Sequence, residues 1–127
     1  RADTAWPLMA TPGKAGDLWI LTNGRLFHST DGGAHFAQVN TYMGMEYLAF
    51  GKAPPGKDYP ALFAIAWSNQ LRAVFRSDDV GKSWLRVNDD AHEYGRKFRA
   101  LAADPRVFGR VYVGTDGRGI VYGDIAP

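Results

Sequence analysis

Two neighbouring aspartates, Asp78 and Asp79, lie in the segment RSDDVGKSW at residues 76–84. Carboxylate oxygens at such short spacing suit a hard cation such as Ca²⁺, and paired carboxylates also serve as acid and base in hydrolysis. A calcium loop needs about 6–8 oxygen ligands, however, and this segment supplies too few. The alternative is a self-contained turn, in which Asp79 and the Ser77 hydroxyl accept backbone N–H groups and Gly81 takes a positive φ angle.

The same pattern occurs earlier in the chain, and this repetition favours the turn. STDGGAHF at residues 29–36 and SDDVGKSW at residues 77–84 both fit Ser-x-Asp-x-Gly-x-x-aromatic, with their serines 48 positions apart. An active site is normally single, whereas a structural turn can recur in every repeat. We therefore predict no catalytic residue and no metal site here, but two structural turns, called Asp boxes: Ser29, Asp31, Gly33 and Phe36 in the first, and Ser77, Asp79, Gly81 and Trp84 in the second.

The segments around the boxes have the alternation and the turn residues of short strands. Strands are predicted near residues 17–22, 25–29 and 35–39, then 46–50, 61–67, 72–76 and 83–87, then 98–103, 110–115 and 119–123. A weaker third repeat starts at Thr115, 93 residues after Thr22. A repeat of about 45–50 residues with four antiparallel strands is typical of a β-propeller blade, so the fold class is predicted to be all-β.

The chain would hold one blade whose first strand is uncertain, one complete blade and one blade with three strands, which makes about two and three-quarter blades, at residues 1–40, 41–90 and 91–127. A closed ring normally holds about 4–8 blades, and an unpaired edge strand exposes backbone hydrogen-bonding groups. We therefore expect one part of a single propeller domain, its C-terminal part, which is not an independent closed ring. The remaining blades would come from the same longer chain or from a companion chain.

Composition excludes several other kinds of protein. The 127 residues include no cysteine, so disulfides and thiolate metal sites are ruled out, and the net charge of +2 comes with scattered basic residues, which argues against nucleic acid. No apolar run approaches the ~20 residues that cross a bilayer, so no membrane partner is expected. No phosphate loop or other cofactor motif is found, and we predict no cofactor. Any export signal would lie upstream or have been removed.

The blades of a propeller form a disc with two faces. The face opposite the Asp boxes is the predicted binding face. It would be built from the links between second and third strands and from the links between blades. Aromatic side chains beside amides and charges suit sugars, because a pyranose stacks its C–H face on a ring while its hydroxyls need donors and acceptors. The alternative is that the aromatics only cover the blade tops. The candidate sugar-binding residues are Tyr42, Trp67, Asn69, Gln70, His92, Tyr94 and Arg96.

The segment NDDAHEYGRK at residues 88–97 also contains acidic residues and a histidine. These could form a metal site or an acid/base pair, and an inverting glycosidase pair would need carboxyl groups about 6.5–9.5 Å apart. Nothing in an irregular loop ensures such convergence, so we interpret the segment as a connector between blades.

Five segments of the chain resemble a known family: HSTDGGAHF, FGKAPPGKDYPALF, VFRSDDVGKSW, NDDAHEYG and DPRVFGRVYVGTDGRGIVYGD, in this order. From about Pro12 onward the sequence is similar to the C-terminal end of glycoside hydrolase family 74, xyloglucan-cleaving double propellers. The resemblance implies a seven-bladed ring, a secreted enzyme and inverting hydrolysis by two aspartates that lie outside this chain. Xyloglucan or a related polysaccharide is the implied ligand.

The resemblance predicts the C-terminal portion of a secreted glycoside hydrolase that closes the propeller and lines part of the cleft for a β-1,4-glucan, with endo and exo action both open. Two alternatives remain. One is a non-catalytic Asp-box propeller that binds a glycan or a protein. The other is a sialidase-type enzyme, which needs an arginine triad for a carboxylate sugar, and for which Arg96 and Arg118 are available.

Overall fold

The fold is built from short β-strands. The computed structural model describes residues 8–39, 43–87, 98–115 and 119–123, and within these ranges it has eleven strands and no helix. The strands are β1 (Leu8–Ala10), β2 (Leu18–Thr22), β3 (Arg25–Ser29), β4 (Ala37–Val39), β5 (Gly44–Gly51), β6 (Ala61–Ser68), β7 (Leu71–Ser77), β8 (Leu85–Arg86), β9 (Phe98–Ala103), β10 (Val111–Thr115) and β11 (Gly119–Gly123).

The strands form three antiparallel sheets, each following the order of the chain. The first sheet is β1-β2-β3-β4, the second β5-β6-β7-β8, and the third contains β9, β10 and β11. Such meanders of four strands are propeller blades, so the predicted fold class is confirmed. The sequence had left the first strand of blade one uncertain, and β1 fills that place by pairing with β2. That the chain is not a closed ring by itself stays a prediction.

Strand β6 lies at the centre of the described structure and is covered on both faces. Residues 61–66 are all 0% exposed, which explains why the segment is a continuous apolar run instead of an alternating one. Leu62, Ala64 and Ala66 pack with Trp19 and Leu26 of blade one. The other face packs against blade three through Ala61, Phe63, Ile65, Val111 and Val113. The hydrophobic core is therefore two layers between three sheets.

The outer strands β4 and β8 start later than the sequence predicted. Strands were expected from residues 35 and 83, whereas pairing begins at Ala37 and Leu85. The backbone N–H groups of His35 and Ser83 instead donate to the carboxylates of Asp31 and Asp79, at 3.0 and 2.9 Å. A backbone donor committed to a side chain is not available for the sheet, so the Asp box shortens the strand that follows it.

The links between strands lie at two opposite ends of the sheets. The turn rim consists of residues 23–24, 43–46 and 67–70, where the Met45 N–H donates to the Gly24 carbonyl at 2.9 Å and Gly44 pairs with Trp67. The box rim consists of residues 11–17, 30–36, 52–60 and 78–84, where the Gly32 N–H donates to the Gly16 carbonyl at 2.9 Å. Because the strands alternate in direction, the boxes and the second-to-third-strand turns cannot share a rim.

Candidate functional site

Three of the seven candidate sugar-binding residues fall within the described structure. Trp67, Asn69 and Gln70 lie together on the turn rim, at the end of β6 and in the turn to β7. The other four lie outside the described residues, as do Arg118 and the whole acidic segment 88–97: Tyr42, His92, Tyr94 and Arg96.

Trp67 is an exposed aromatic on a buried strand. The residue is 45% exposed, and no other Phe, Tyr or Trp whose side chain the structure describes is more than about a third exposed. It is directly opposite Arg72 of β7 and two residues after the fully buried Ile65 on the same face of the sheet. A large flat apolar surface is thus presented from a rigid backbone, which is the arrangement that stacking on a sugar ring requires.

A glutamate that sequence reasoning did not identify fixes this tryptophan. The Trp67 indole Nε1–H donates to Glu46 Oε2 at 3.0 Å, and the Arg72 Nε–H donates to Glu46 Oε1 at 2.6 Å. Glu46 is the extra residue of a β-bulge, since Met45 pairs with Ala66 and Tyr47 with Ile65. We call Glu46, Trp67 and Arg72 the Trp67 cluster. A period-2 pattern does not reveal a bulge, so Glu46 could not be singled out from hydrophobic alternation.

The turn beside the cluster is a tight hairpin. Asn69 and Gln70 have φ angles of 52° and 65°, which with only two connecting residues is the geometry of a type I′ turn. Asn23 and Gly24 form the equivalent turn in blade one, with φ angles of 51° and 77°. Both amide side chains of the second-blade turn are exposed. They add hydrogen-bond donors and acceptors next to the Trp67 ring, as ligand hydroxyls would need.

The second Asp box closes on itself through hydrogen bonds. The Ser77 hydroxyl is 0% exposed, donates to Asp79 Oδ1 at 2.8 Å and accepts from the Gly81 N–H at 2.8 Å. The other oxygen of Asp79 accepts from the Ser83 hydroxyl at 2.5 Å. Burial opposes ionisation of Asp79, but the bonds from Ser83 and Ser77 outweigh it, so its pKa lies below the ordinary 3.8. The Asp79 carboxylate is therefore already occupied within its own turn.

The first box repeats these contacts with one change. Ser29 donates to Asp31 Oδ1 at 2.8 Å and accepts from the Gly33 N–H at 3.0 Å, while His35 takes the place of Ser83 and contacts Asp31 Oδ2 at 2.7 Å. Hydrogen bonds from the side chain and backbone of His35 lower the pKa of Asp31 well below its usual value. The repetition supports the interpretation of both boxes as structural turns, which stays a prediction.

Asp78, the other acid of the segment that first suggested chemistry, is also paired. Its carboxylate accepts from Arg76 Nε at 2.9 Å and from a terminal nitrogen of the same guanidinium at 3.1 Å. The Arg76 guanidinium lies 5.3 Å from the ring centre of Phe108 in blade three. Bidentate pairing neutralises Asp78 and ties it to an interface between blades.

A second cluster of polar side chains, which was not predicted from the sequence, joins blades one and two at the box rim. Asp17 Oδ1 accepts from Thr11 and Tyr59, each at 2.6 Å, and contacts His28 Nε2 at 2.9 Å. The His28 ring stacks on Trp19 with the ring centres 3.9 Å apart. Burial raises the pKa of Asp17, but the hydrogen bonds outweigh it and the net shift is downward. Burial and the Asp17 carboxylate together raise the pKa of Tyr59 to about 12.

The described residues contain neither a metal-ligand cluster nor a membrane-spanning helix. No three His, Asp or Glu side chains there converge as metal ligands would. In the same ranges, no helix has the length and apolarity to cross a membrane.

Comparison with known proteins identifies relatives along almost the whole chain. The sequence is 47% identical over 123 residues to a xyloglucanase from a Paenibacillus species and 40% identical over 121 residues to a probable oligoxyloglucan-reducing end-specific xyloglucanase from Neosartorya fischeri. These alignments cover 92% and 90% of the chain but only 12% and 15% of the relatives. The chain thus spans less than a sixth of the length of the curated relatives it matches. No protein-family model matches it.

A solved structure gives the same result for the fold. The GH74 xyloglucanase from Xanthomonas campestris superimposes with a TM-score of 0.83 at 36% identity, over 99% of this chain and 18% of that one. The matches in sequence and in structure agree, and both relatives and neighbour are glycoside hydrolases. This chain is therefore a homologue of a propeller segment of the glycoside hydrolase family 74 xyloglucanases.

Proposed function

We propose that this chain forms blades of a secreted, xyloglucan-cleaving glycoside hydrolase and that its turn rim lines part of the polysaccharide cleft. The kinship with xyloglucanases supports the substrate, and the small share of those enzymes that the chain covers supports the need for further blades as partners. The chain would be the C-terminal part of its propeller and would leave the chemistry to aspartates elsewhere in the enzyme.

The exposed indole of Trp67 is the observation that carries the cleft assignment. Its ring is presented from a strand whose residues 61–66 are fully buried, so the ring has a fixed base. The exposed amides of Asn69 and Gln70 follow directly in the turn. A flat apolar face beside amide groups matches a glucan, which offers C–H faces for stacking and hydroxyls for hydrogen bonds. Among the described boxes, by contrast, the aspartates are occupied within their own turns.

The test is xyloglucan binding by the complete protein that carries this chain, with Trp67→Ala compared with wild type by affinity electrophoresis in gels containing the polysaccharide. Losing one stacked aromatic costs about 1–2 kcal/mol, so we expect the dissociation constant to rise about 5- to 30-fold. Leu85→Ala is the matched control. Leu85 is also a large exposed apolar residue, at 57%, but it lies on β8 directly after the second Asp box, at the end of the sheet opposite the turn rim. Retention of wild-type affinity by Trp67→Ala would contradict the cleft assignment.

A hydrolysis assay on the same protein distinguishes an enzyme from a non-catalytic glycan-binding propeller. We expect the complete protein to release reducing ends from xyloglucan. Binding without any release of reducing ends would instead support a non-catalytic glycan-binding propeller, and the size distribution of early products would distinguish endo from exo attack.

A further inference from the structure

The exposure of the Trp67 cluster increases stepwise from the sheet to the solvent. The Arg72 side chain is 14% exposed, that of Glu46 is 36% exposed, and Trp67 is 45% exposed. Each carboxylate oxygen of Glu46 has its own donor, with Arg72 on one and the indole on the other. The most exposed member is therefore held through a chain of two hydrogen bonds by the least exposed one.

The β-bulge explains how Glu46 comes to lie between Trp67 and Arg72. Gly44 pairs with Trp67 and Met45 with Ala66, but the next paired residue is Tyr47, opposite Ile65. Glu46 is consequently free of ladder pairing, and its side chain bonds to Trp67 of the adjacent strand β6 and to Arg72 of the next strand, β7, which pair with each other. Bulges are found at sheet ends and beside functional sites, where they re-aim a side chain.

We propose that Glu46 is a positioning residue, which fixes the indole of Trp67 as a stacking platform for a neutral pyranose ring. This inference rests on the proposed function and names the residue that makes the platform rigid. Because the indole N–H is already bonded to Glu46, it is not available to a ligand hydroxyl. The indole then contributes stacking on the C–H face of the sugar, and hydrogen bonds to the hydroxyls are left to neighbouring groups such as the Asn69 and Gln70 amides.

The expected effect follows from the population of the binding rotamer. An exposed tryptophan without a fixed partner samples about three χ1 wells, each with two broad χ2 arrangements. Apparent affinity falls in proportion to the fraction that is competent to bind. Releasing the indole therefore raises the dissociation constant about three- to sixfold, whereas kcat at saturating substrate stays unchanged because no reacting group is moved.

A double-mutant cycle in the complete protein tests the proposal. Glu46→Ala, Trp67→Ala and the double variant are compared by calorimetric titration with a soluble xyloglucan oligosaccharide and by KM and kcat on the polymer. We expect Glu46→Ala to raise the dissociation constant and KM about three- to sixfold, and the double variant to be no weaker than Trp67→Ala alone. Asp58→Ala is the matched control, since Asp58 is an exposed carboxylate paired with Lys14 on the box rim.

Glu46→Gln provides the second variant if Glu46→Ala does not fold. Its amide oxygen can still accept the indole N–H while the charge facing Arg72 is lost, so affinity should lie nearer to wild type. Additive effects in the cycle, or wild-type affinity of Glu46→Ala alongside a weakened Trp67→Ala, would overturn the positioning role and leave the proposed function standing. No effect of Trp67→Ala would overturn both.

Discussion

Removing the Ser77 hydroxyl measures how much the hydrogen bonds of an Asp box contribute to the stability of the fold. Ser77→Ala deletes a hydrogen bond to the Asp79 carboxylate at 2.8 Å and leaves the Gly81 N–H without its acceptor at 2.8 Å. A bond to a charged group is worth about 1.5–3 kcal/mol and a neutral one about 0.5–1.5 kcal/mol. Since Ser77 is 0% exposed, water cannot easily replace either bond. We expect the free energy of unfolding to fall by about 2–4 kcal/mol.

The measurement is urea unfolding of the complete protein by tryptophan fluorescence, together with amide hydrogen exchange of the segment 77–87. Ser83→Ala is the control, because it removes a hydroxyl from the same carboxylate at an exposed position and should cost less than about 1 kcal/mol. Ser77→Ala should keep its activity per folded molecule. An unchanged unfolding midpoint would contradict the structural role of Ser77, and loss of activity with full stability would instead indicate a catalytic role for the box.

Two further predictions concern contacts between blades. Gly81→Ala should lower the free energy of unfolding by about 2–3 kcal/mol, because Gly81 has a φ of +83° and an added Cβ would lie 3.1 Å from a methyl group of Val39. Gly56→Ala has a similar φ of +76° with nothing within 4 Å, so an equal loss in urea unfolding would contradict the packing argument. Stability should also fall as pH rises from 10, because the unfolded chain releases the Tyr59 proton near its ordinary pKa of 10.0 whereas the folded protein keeps it until about 12. Tyr59→Phe should flatten that decline in urea midpoints measured between pH 9 and 11.5, and an unchanged slope would show that other groups cause it.

Most of the fold could be predicted because the signals are local and repeated. The boxes set the spacing of the blades, and the turns at residues 23–24 and 69–70 separate strands whose observed bounds lie within two residues of those expected. The errors at β4 and β8 have a shared cause. Backbone donors at His35 and Ser83 bond to box carboxylates, and a competition between side chain and sheet is not visible in hydrophobic alternation.

The site could be predicted only in part. Its exposed aromatic and amide residues can be recognised in the sequence, but the residues that hold them by hydrogen bonds cannot. An exposed tryptophan at the end of an apolar run was identified as a candidate, and the structure places it on the turn rim. Glu46 is 21 residues away from it and is brought near by a bulge, which no periodicity reveals. Likewise, Asp17 and Tyr59 are 42 residues apart and meet only because two blades pack together.

The contact of Gly81 with blade one gives the Asp box a second geometrical role. The glycine that permits the turn of one blade also lies against Trp19 and Val39 of the blade before it, so closely that an added Cβ would be 3.1 Å from a Val39 methyl group. The closeness of that approach limits how near the second blade can pack against the first. The same short motif thus recurs at a fixed spacing along the chain and also takes part in the packing of one blade against the next.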